Sequence, residues 1–307
     1  MTVPCYVELL RRGELSKRAD DLYAHLKSCD LCPRMCAVDR TAGETGYCRV
    51  GEKAIVSSYG PHPGEEPELV GRKGSGTIFF AACNLLCIFC QNADISHGMK
   101  GAEQTDEQIA EKMLRLQAMG CHNINLVTPT HFVPQIARAL AVAAEMGLRL
   151  PIVYNSGGYD RVEILRELDG IIDIYMPDMK FSGIVPAEKY MNAPDYPNVV
   201  KAALKEMHRQ VGDLQIDAYG VATRGLLIRH LVMPGGLAGS EEFARFIAEE
   251  VSCNTYVNIM PQYRPEHRAR EFPELVRRDI WEQFHAAQEV FRLAGVSWTP
   301  AANGNDR

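Results

Sequence analysis

The chain has no apolar run near the roughly 18 residues that a membrane span needs. Its first residues, MTVPCYVELLRRGELSKR, lack the unbroken apolar stretch and small-residue cleavage site of a secretory signal. Nor is there a surplus of positive charge: 33 Lys and Arg stand against 39 Asp and Glu, a formal net charge of −6, with a pI near 5.9. The first two absences point to a cytoplasmic protein with no membrane partner, whose thiols stay reduced. The third argues against a general nucleic-acid binder, which needs a basic face to meet phosphates. No internal repeat or low-complexity tract is visible. What remains is ordinary globular composition, 46% hydrophobic and 23% charged over 307 residues. That is enough for one large α/β domain and a smaller module.

Against that background the ten cysteines need an explanation. Seven fall between Cys29 and Cys90 in two tight groups. In a reducing compartment disulfides are a poor reading of such groups, and metal or cluster ligation is the better one. Cys5, Cys121 and Cys253 stand alone and read as packing thiols.

From Gly76 onward, continuous apolar runs alternate with helical patterns: Thr77–Cys83 then Asp106–Met119, Asn123–Thr128 then Phe132–Met146, Pro151–Asn155 then Arg161–Leu168, Ile171–Pro177 then Val199–Val211, Leu226–Pro234 then Ser240–Val251, and Thr255–Pro261 then Asp279–Leu293. Runs of this kind suit strands buried on both faces. The helices carry apolar residues at i, i+3, i+4 spacing and often stop at glycine, as at Gly120, Gly147 and Gly212. Ser240 is the expected N-cap of the fifth helix. Six β/α units with right-handed crossovers predict an α/β fold, a partial, open (β/α)6 barrel of the TIM type, over residues 76–300. Residues 1–75 are expected to form a separate small module, with one helix at about Leu15–Lys27, a cysteine-rich loop and a turn-rich stretch, YGPHPGEEP. Residues 301–307 read as a loose tail.

The segment GSGTIFFAACNLLCIFCQN carries the strongest chemical signal. An apolar strand runs into Cys83, Cys87 and Cys90, spaced C-x3-C-x2-C. Thiolates are natural ligands of iron–sulfur clusters. Three of them on a loop at the carboxyl end of a strand, where α/β barrels place active sites, can hold three irons of a cubane and leave the fourth without a protein ligand. A zinc site or buried core thiols is the plainer reading, and the position after the first of six β/α units weighs against it.

This spacing resembles that of the radical S-adenosylmethionine superfamily. The resemblance implies a [4Fe–4S] cluster whose open iron is chelated by S-adenosylmethionine, and reductive cleavage of that molecule to a 5′-deoxyadenosyl radical. It implies that Phe89, just before the third cysteine, lies near the adenine. More closely, the stretches CDLCPRMCAVDR, INLVTPTHFVPQI, PIVYNSGGYD, DIYMPDMKF and RGLLIRHLVMPGG are similar to proteins related to the pyruvate formate-lyase activating enzyme, in the branch called PflX-like. Asp178 and Lys180 match the D-x-K motif that holds the methionyl carboxylate and ribose in the activating enzymes, an ammonium suiting a carboxylate and an acidic oxygen suiting hydroxyls. Two departures stand out. Where those enzymes have a G-G-E stretch for the amino group, this chain has Thr128-Pro129-Thr130-His131, so Thr128 and Thr130 are the expected substitutes. Where they have a histidine after the sixth strand, Tyr263 falls here. Other polar residues at strand ends are Asn155, Ser156, His230, Asn258 and Gln262. Any of them could be a satisfied core group, and His230 is preferred as a ligand contact because Arg229-His230 interrupts an apolar strand.

The second group, Cys29, Cys32, Cys36 and Cys48, reads C-x2-C-x3-C-x11-C. Four cysteines make a closed set, structural zinc or a second [4Fe–4S] cluster that relays electrons. The arrangement resembles the cysteine domain of molybdopterin oxidoreductases, which holds a [4Fe–4S] cluster. The family likeness implies an electron donor such as flavodoxin or ferredoxin, and a glycyl-radical protein as the partner to be activated. Radical modification of a small molecule or peptide is the alternative. A non-catalytic electron carrier is the third reading, and a carrier has no use for an open iron.

Overall fold

A computed structural model of the chain describes residues 3–296 and 298–300. Ten strands share one sheet: β1 (Ala54–His62), β2 (Ser75–Phe80), β3 (Ala102–Gln104), β4 (Ile124–Val127), β5 (Ile152–Ser156), β6 (Ile174–Met179), β7 (Gln215–Ile216), β8 (Ala222–Leu231), β9 (Tyr256–Met260) and β10 (Trp298–Pro300), in the order β10-β9-β8-β6-β5-β4-β2-β1-β3 with β7 on β8. Each pair from β2 to β10 along this path is parallel, and the β1 pairs are antiparallel. All six expected strands are present in sequential order, and the path ends at edges, so the barrel is open and partial.

The helices that cross between strands occupy Asp106–Ala118, Val133–Glu145, Val162–Glu167, Tyr196–Val211, Ser240–Glu250 and Ile280–Leu293. The first opens on a capping box, in which Thr105 and Gln108 each accept from the other's backbone amide, satisfying two donors that a helix start leaves free. The sequence reading needs amendment at two of these helices. A further helix, Ile184–Met191, precedes Tyr196–Val211. Ser240 is the first helical residue, and the N-cap is Gly239 with φ 71°. The Ser240 hydroxyl faces His230 Nε2 at 2.8 Å instead. Residues 301–307, the expected tail, lie outside the described residues.

Residues 1–75 include the helices Cys5–Arg11 and Leu15–Ala24, whose apolar faces join the same buried cluster as the barrel helices. The stretch expected to be turn-rich is partly β1, paired with β2 from Val56 to His62. Beyond β1 the chain turns into the barrel. Leu69, on the short helix Pro67–Val70, packs among Val153, Ile174, Met176, Ala222 and Leu227 as a second apolar cluster. Above it Glu65 accepts from Asn125 Nδ2 at 2.8 Å and Asn155 Nδ2 at 3.3 Å, and Glu66 accepts from Asn258 Nδ2 at 2.5 Å. The segment therefore plugs the barrel from the amino ends of its strands and leaves the carboxyl end to the cysteine loop.

Glu66 is 7% exposed. Burial, reinforced by Glu65 and opposed by Arg229, pushes its carboxyl from the usual 4.5 up to about 7. With the folded value above the unfolded one, the folded state holds an extra proton between those limits, so stability falls as pH rises through the window. Glu66→Gln removes this titration. It should raise the stability near pH 8 by roughly 2–3 kcal/mol relative to the parent and leave it unchanged near pH 4, as measured by denaturant midpoints. An equal shift at both pH values would mean that the carboxyl charge is not the destabilising element.

Candidate active site

The loop after β2 carries Cys83, Cys87 and Cys90 to the carboxyl end of the barrel, where all three line one cavity of about 260 Å³. Phe89, Thr128, Asn155, Ser156, Gly157, Asp178, Lys180, Arg229, Gln262 and Tyr263 line the same space. Burial raises the Cys83 and Cys87 thiols above their usual range, so protonated thiols are favoured there until a cation compensates them. The sulfurs already receive donors: Leu85 N lies 3.4 Å from Cys83 Sγ, and the Ser96 hydroxyl 3.2 Å from Cys90 Sγ. Such donors suit sulfurs bearing negative charge. In neither cysteine group, nor elsewhere among the described residues, do three His, Cys, Asp or Glu side chains gather where one metal ion could bind them all. A cubane takes one thiolate on each iron, and three thiols spread around a cavity wall fit that demand.

Opposite the thiols stands a buried network of charges. Asp178 Oδ2 accepts from Lys180 Nζ at 2.6 Å, and its Oδ1 accepts from Arg229 Nε at 2.8 Å. Arg229 also donates to Asn155 Oδ1 at 2.8 Å and Glu65 Oε1 at 3.3 Å. The Asp178 and Lys180 side chains are 16% and 15% exposed. Burial alone would raise the Asp178 carboxyl, but Arg229 and Lys180 outweigh it and the net shift is downward. Burial likewise disfavours the Lys180 ammonium, and Asp178 reverses that to a net rise. Both groups are thus held charged. Among the described lining residues Asp178 is the one carboxylate against two cations, and Glu65, behind the wall, meets the second positive charge.

The expected contacts divide. Phe89 is on the wall, edge-on to Phe181 with ring centroids 5.7 Å apart. Thr128 is there at φ 60°, a left-handed conformation rarely held by a β-branched residue, with its amide bonded to Asn155 O at 2.9 Å. Asn258 lies deeper, on Glu66. Thr130 is turned away: it donates to Asp160 Oδ1 at 2.7 Å. Ser156 reaches the cavity but donates to Asp160 Oδ2 at 2.5 Å. With Tyr154 as third donor at 3.0 Å, Asp160 is a buried carboxylate met by three hydroxyls, which fixes the turn after β5. In that turn Gly158 has φ +76°, and a Cβ there would lie 2.4 Å from Asp178 O. The turn thus rests on the strand that carries Asp178.

His230 is outside the cavity. It is fully buried behind the sheet, bonded to Met179 O at 3.1 Å, and burial lowers its pKa to about 4. Side chains alternate across a strand, so when Arg229 points inward its neighbour cannot. Arg229 is the residue that the sequence reading missed, one position from the one it chose. His131 is also buried, with Nε2 2.9 Å from Ala81 O. Cys253 is exposed, not packed, while Cys121 is buried.

Residues 77–213 match the Radical SAM superfamily. Over 273 residues the chain is 32% identical to an uncharacterized protein of Methanocaldococcus jannaschii, covering 86% of this chain and 74% of that one. The chain belongs to the radical SAM superfamily. Membership implies a [4Fe–4S] cluster, S-adenosylmethionine and a reductant as the working set of this radical SAM protein. Among solved structures it is similar to a radical SAM methyltransferase from Sphaerobacter thermophilus, with a TM-score of 0.47 and 17% identity over 73% of this chain and 66% of that one. Among the described residues no helix is long and apolar enough to cross a membrane.

Arg229→Met should weaken binding of S-adenosylmethionine to the reconstituted protein about ten- to a hundredfold, the usual cost of one charge-assisted contact. His230→Gln should leave that affinity unchanged while lowering thermal stability. Equilibrium binding decides it: equal losses in the two variants would return His230 to the site.

Proposed function

We propose that this radical SAM protein cleaves S-adenosylmethionine reductively and abstracts hydrogen from a substrate presented at the barrel mouth, as in the PflX-like relatives of the pyruvate formate-lyase activating enzyme. The observation that carries the reading is the convergence of Cys83, Cys87 and Cys90 with Asp178, Lys180 and Arg229 on one cavity. When bound, the cluster supplies the electron that splits the sulfonium into methionine and a 5′-deoxyadenosyl radical.

The chain's own residues do the rest. Cys83, Cys87 and Cys90 hold the cluster. Lys180 and Arg229 bring charged donors to the wall, which suit the methionyl carboxylate. A carboxylate has about four lone-pair sites, so Asp178, with two cations on it, keeps capacity for ribose hydroxyls. Phe89 offers a flat apolar face to the adenine. Asn155 and the strained backbone at Thr128 are the acceptors nearest the place where the activating enzymes carry G-G-E, and take the amino group. Ser156 and Thr130 act through Asp160, holding the turn in place.

The cavity volume bears on the substrate. About 260 Å³ lies just below the range of single-ligand pockets, about 300 to 1,000 Å³. S-adenosylmethionine would fill it, and a second small molecule would not be enclosed beside it. That favours a target presented from outside, such as a backbone glycine on a loop of a glycyl-radical partner, over a small molecule sealed inside. Electrons come from a one-electron protein donor of the flavodoxin or ferredoxin kind.

Cys83→Ala, Cys87→Ala and Cys90→Ala together should abolish 5′-deoxyadenosine formation by the anaerobically reconstituted, chemically reduced chain, with loss of about four irons. Chromatography of the nucleoside products reads the outcome. If the triple variant still makes 5′-deoxyadenosine, the reading is wrong.

A further inference from the structure

Among the described residues Arg40 stands first by volume of the fully buried side chains, at 1% exposure. Its Nε donates to Gly51 O at 2.9 Å and its Nη1 to His131 O at 2.7 Å, both carbonyls, while Nη2 has no partner. None of these partners is a carboxylate. A guanidinium cannot shed its charge in a protein, and an unpaired buried charge costs several kcal/mol. Something negative belongs beside it. Cys29 Sγ lies 4.0 Å from Nη1, and the Arg40 charge also favours a thiolate at Cys48.

Cys29 is one of four cysteines that the fold brings together. Ala37 N bonds to Cys29 O and Met35 N to Cys32 O, at 2.9 and 3.0 Å, closing the loop through Cys36. The turn that carries Cys48 folds back on Cys36: Tyr47 N lies 3.3 Å from Cys36 Sγ. A Cβ on Gly46 would stand 2.7 Å from that sulfur, so glycine is required for the approach. Cys29, Cys32 and Cys48 are buried, and Cys36 is half-buried. The module rests on the loop of the first site, with Arg34 Nε donating to Asn84 O at 3.0 Å and the Tyr47 hydroxyl to Leu85 O at 3.5 Å.

We infer that Cys29, Cys32, Cys36 and Cys48 hold a second metal–thiolate centre, for which Arg40 is the buried counter-charge. Binding releases the four thiol protons to solvent and leaves thiolates on the metal. No single ion could gather three of these thiols, so they suit a [4Fe–4S] cluster, one thiolate on each iron, and its net negative charge completes the balance that the protein groups around Arg40 leave open. The inference does not depend on the radical reaction at the first site.

The test uses the full chain carrying Cys83→Ala, Cys87→Ala and Cys90→Ala, in which any retained metal is outside the first site. Anaerobic reconstitution with iron and sulfide, followed by metal analysis, should find about four irons per chain. About one zinc and no iron after expression with zinc would overturn the cluster. In that background Arg40→Met should lose the metal to a chelator at least about tenfold faster, and Arg40→Lys, which keeps the charge, should fall between it and Arg40. Adding Cys29→Ala and Cys32→Ala should remove the metal outright. A folded chain, checked by circular dichroism, that retains neither metal would overturn the site. Loss at one rate from all three residues at position 40 would overturn the role of Arg40. Should the triple-alanine chain not fold, the same comparison on the otherwise unaltered reconstituted chain reads total iron: about four irons fewer after Cys29→Ala and Cys32→Ala supports the site, and no change overturns it.

Discussion

The buried guanidinium of Arg229 holds the centre of this molecule together. It reaches Asp178 on β6, Asn155 on β5 and Glu65 on the plug, so one side chain of β8 ties two other strands to the segment that fills the barrel from below. The dependence is mutual. Without the carboxylates a guanidinium could not be held there, and without the guanidinium Asp178, Glu65 and Glu66 would repel one another in a medium that screens poorly. The ion pairs need not add net stability. What they fix is position: Asp178 stays ionised with both oxygens occupied, Asn155 is turned so that its amide oxygen faces Arg229, and Lys180 is held on the wall opposite the cysteines.

The parts of this design that were legible in the sequence are those whose constraints are local. Cys83, Cys87 and Cys90 could be read as one group because they sit on one short loop, which brings all three to one cavity, and the six β/α units because each strand and helix announces itself by its own period. Asp178 and Lys180 are two apart on one strand, so one loop presents both. Arg229 was hidden by a single step of strand register. Arg229 and His230 interrupt the same apolar run, and which of them faces inward is decided by pairing between β6 and β8, Asp178 opposite Arg229 and Met179 opposite His230. Glu65 and Glu66 were less legible still. In YGPHPGEEP they look like a solvated turn, and only contacts 60 to 192 residues away, to Asn125 and Asn258, put them inside the barrel. Thr130 and Ser156 were hard to tell apart for a related reason: both serve Asp160, which needs hydroxyls as much as a ligand would, yet only Ser156 reaches the cavity.

Two cysteine loops that share no sequence share a backbone feature. Among the described residues nine other than glycine have positive φ, and five of them, Met35, Ala37, Arg49, Ala82 and Leu86, adjoin a cysteine of one group or the other. Left-handed backbone costs on the order of 1–2 kcal/mol for a residue with a Cβ. Strain of this kind persists only where the surroundings over-determine it. Here the surroundings are each other: Arg34 and Tyr47 of the first loop bond to Asn84 and Leu85 of the second, and Arg40 bonds to the carbonyl of His131, whose ring bonds to Ala81. The loop that lines the cavity is therefore backed by the loop that holds the other four thiols. Ligands shaped on a strained loop cannot relax into a tighter arrangement without dragging their backing with them. That rigidity suits a cluster that must keep three of its irons fixed and one accessible.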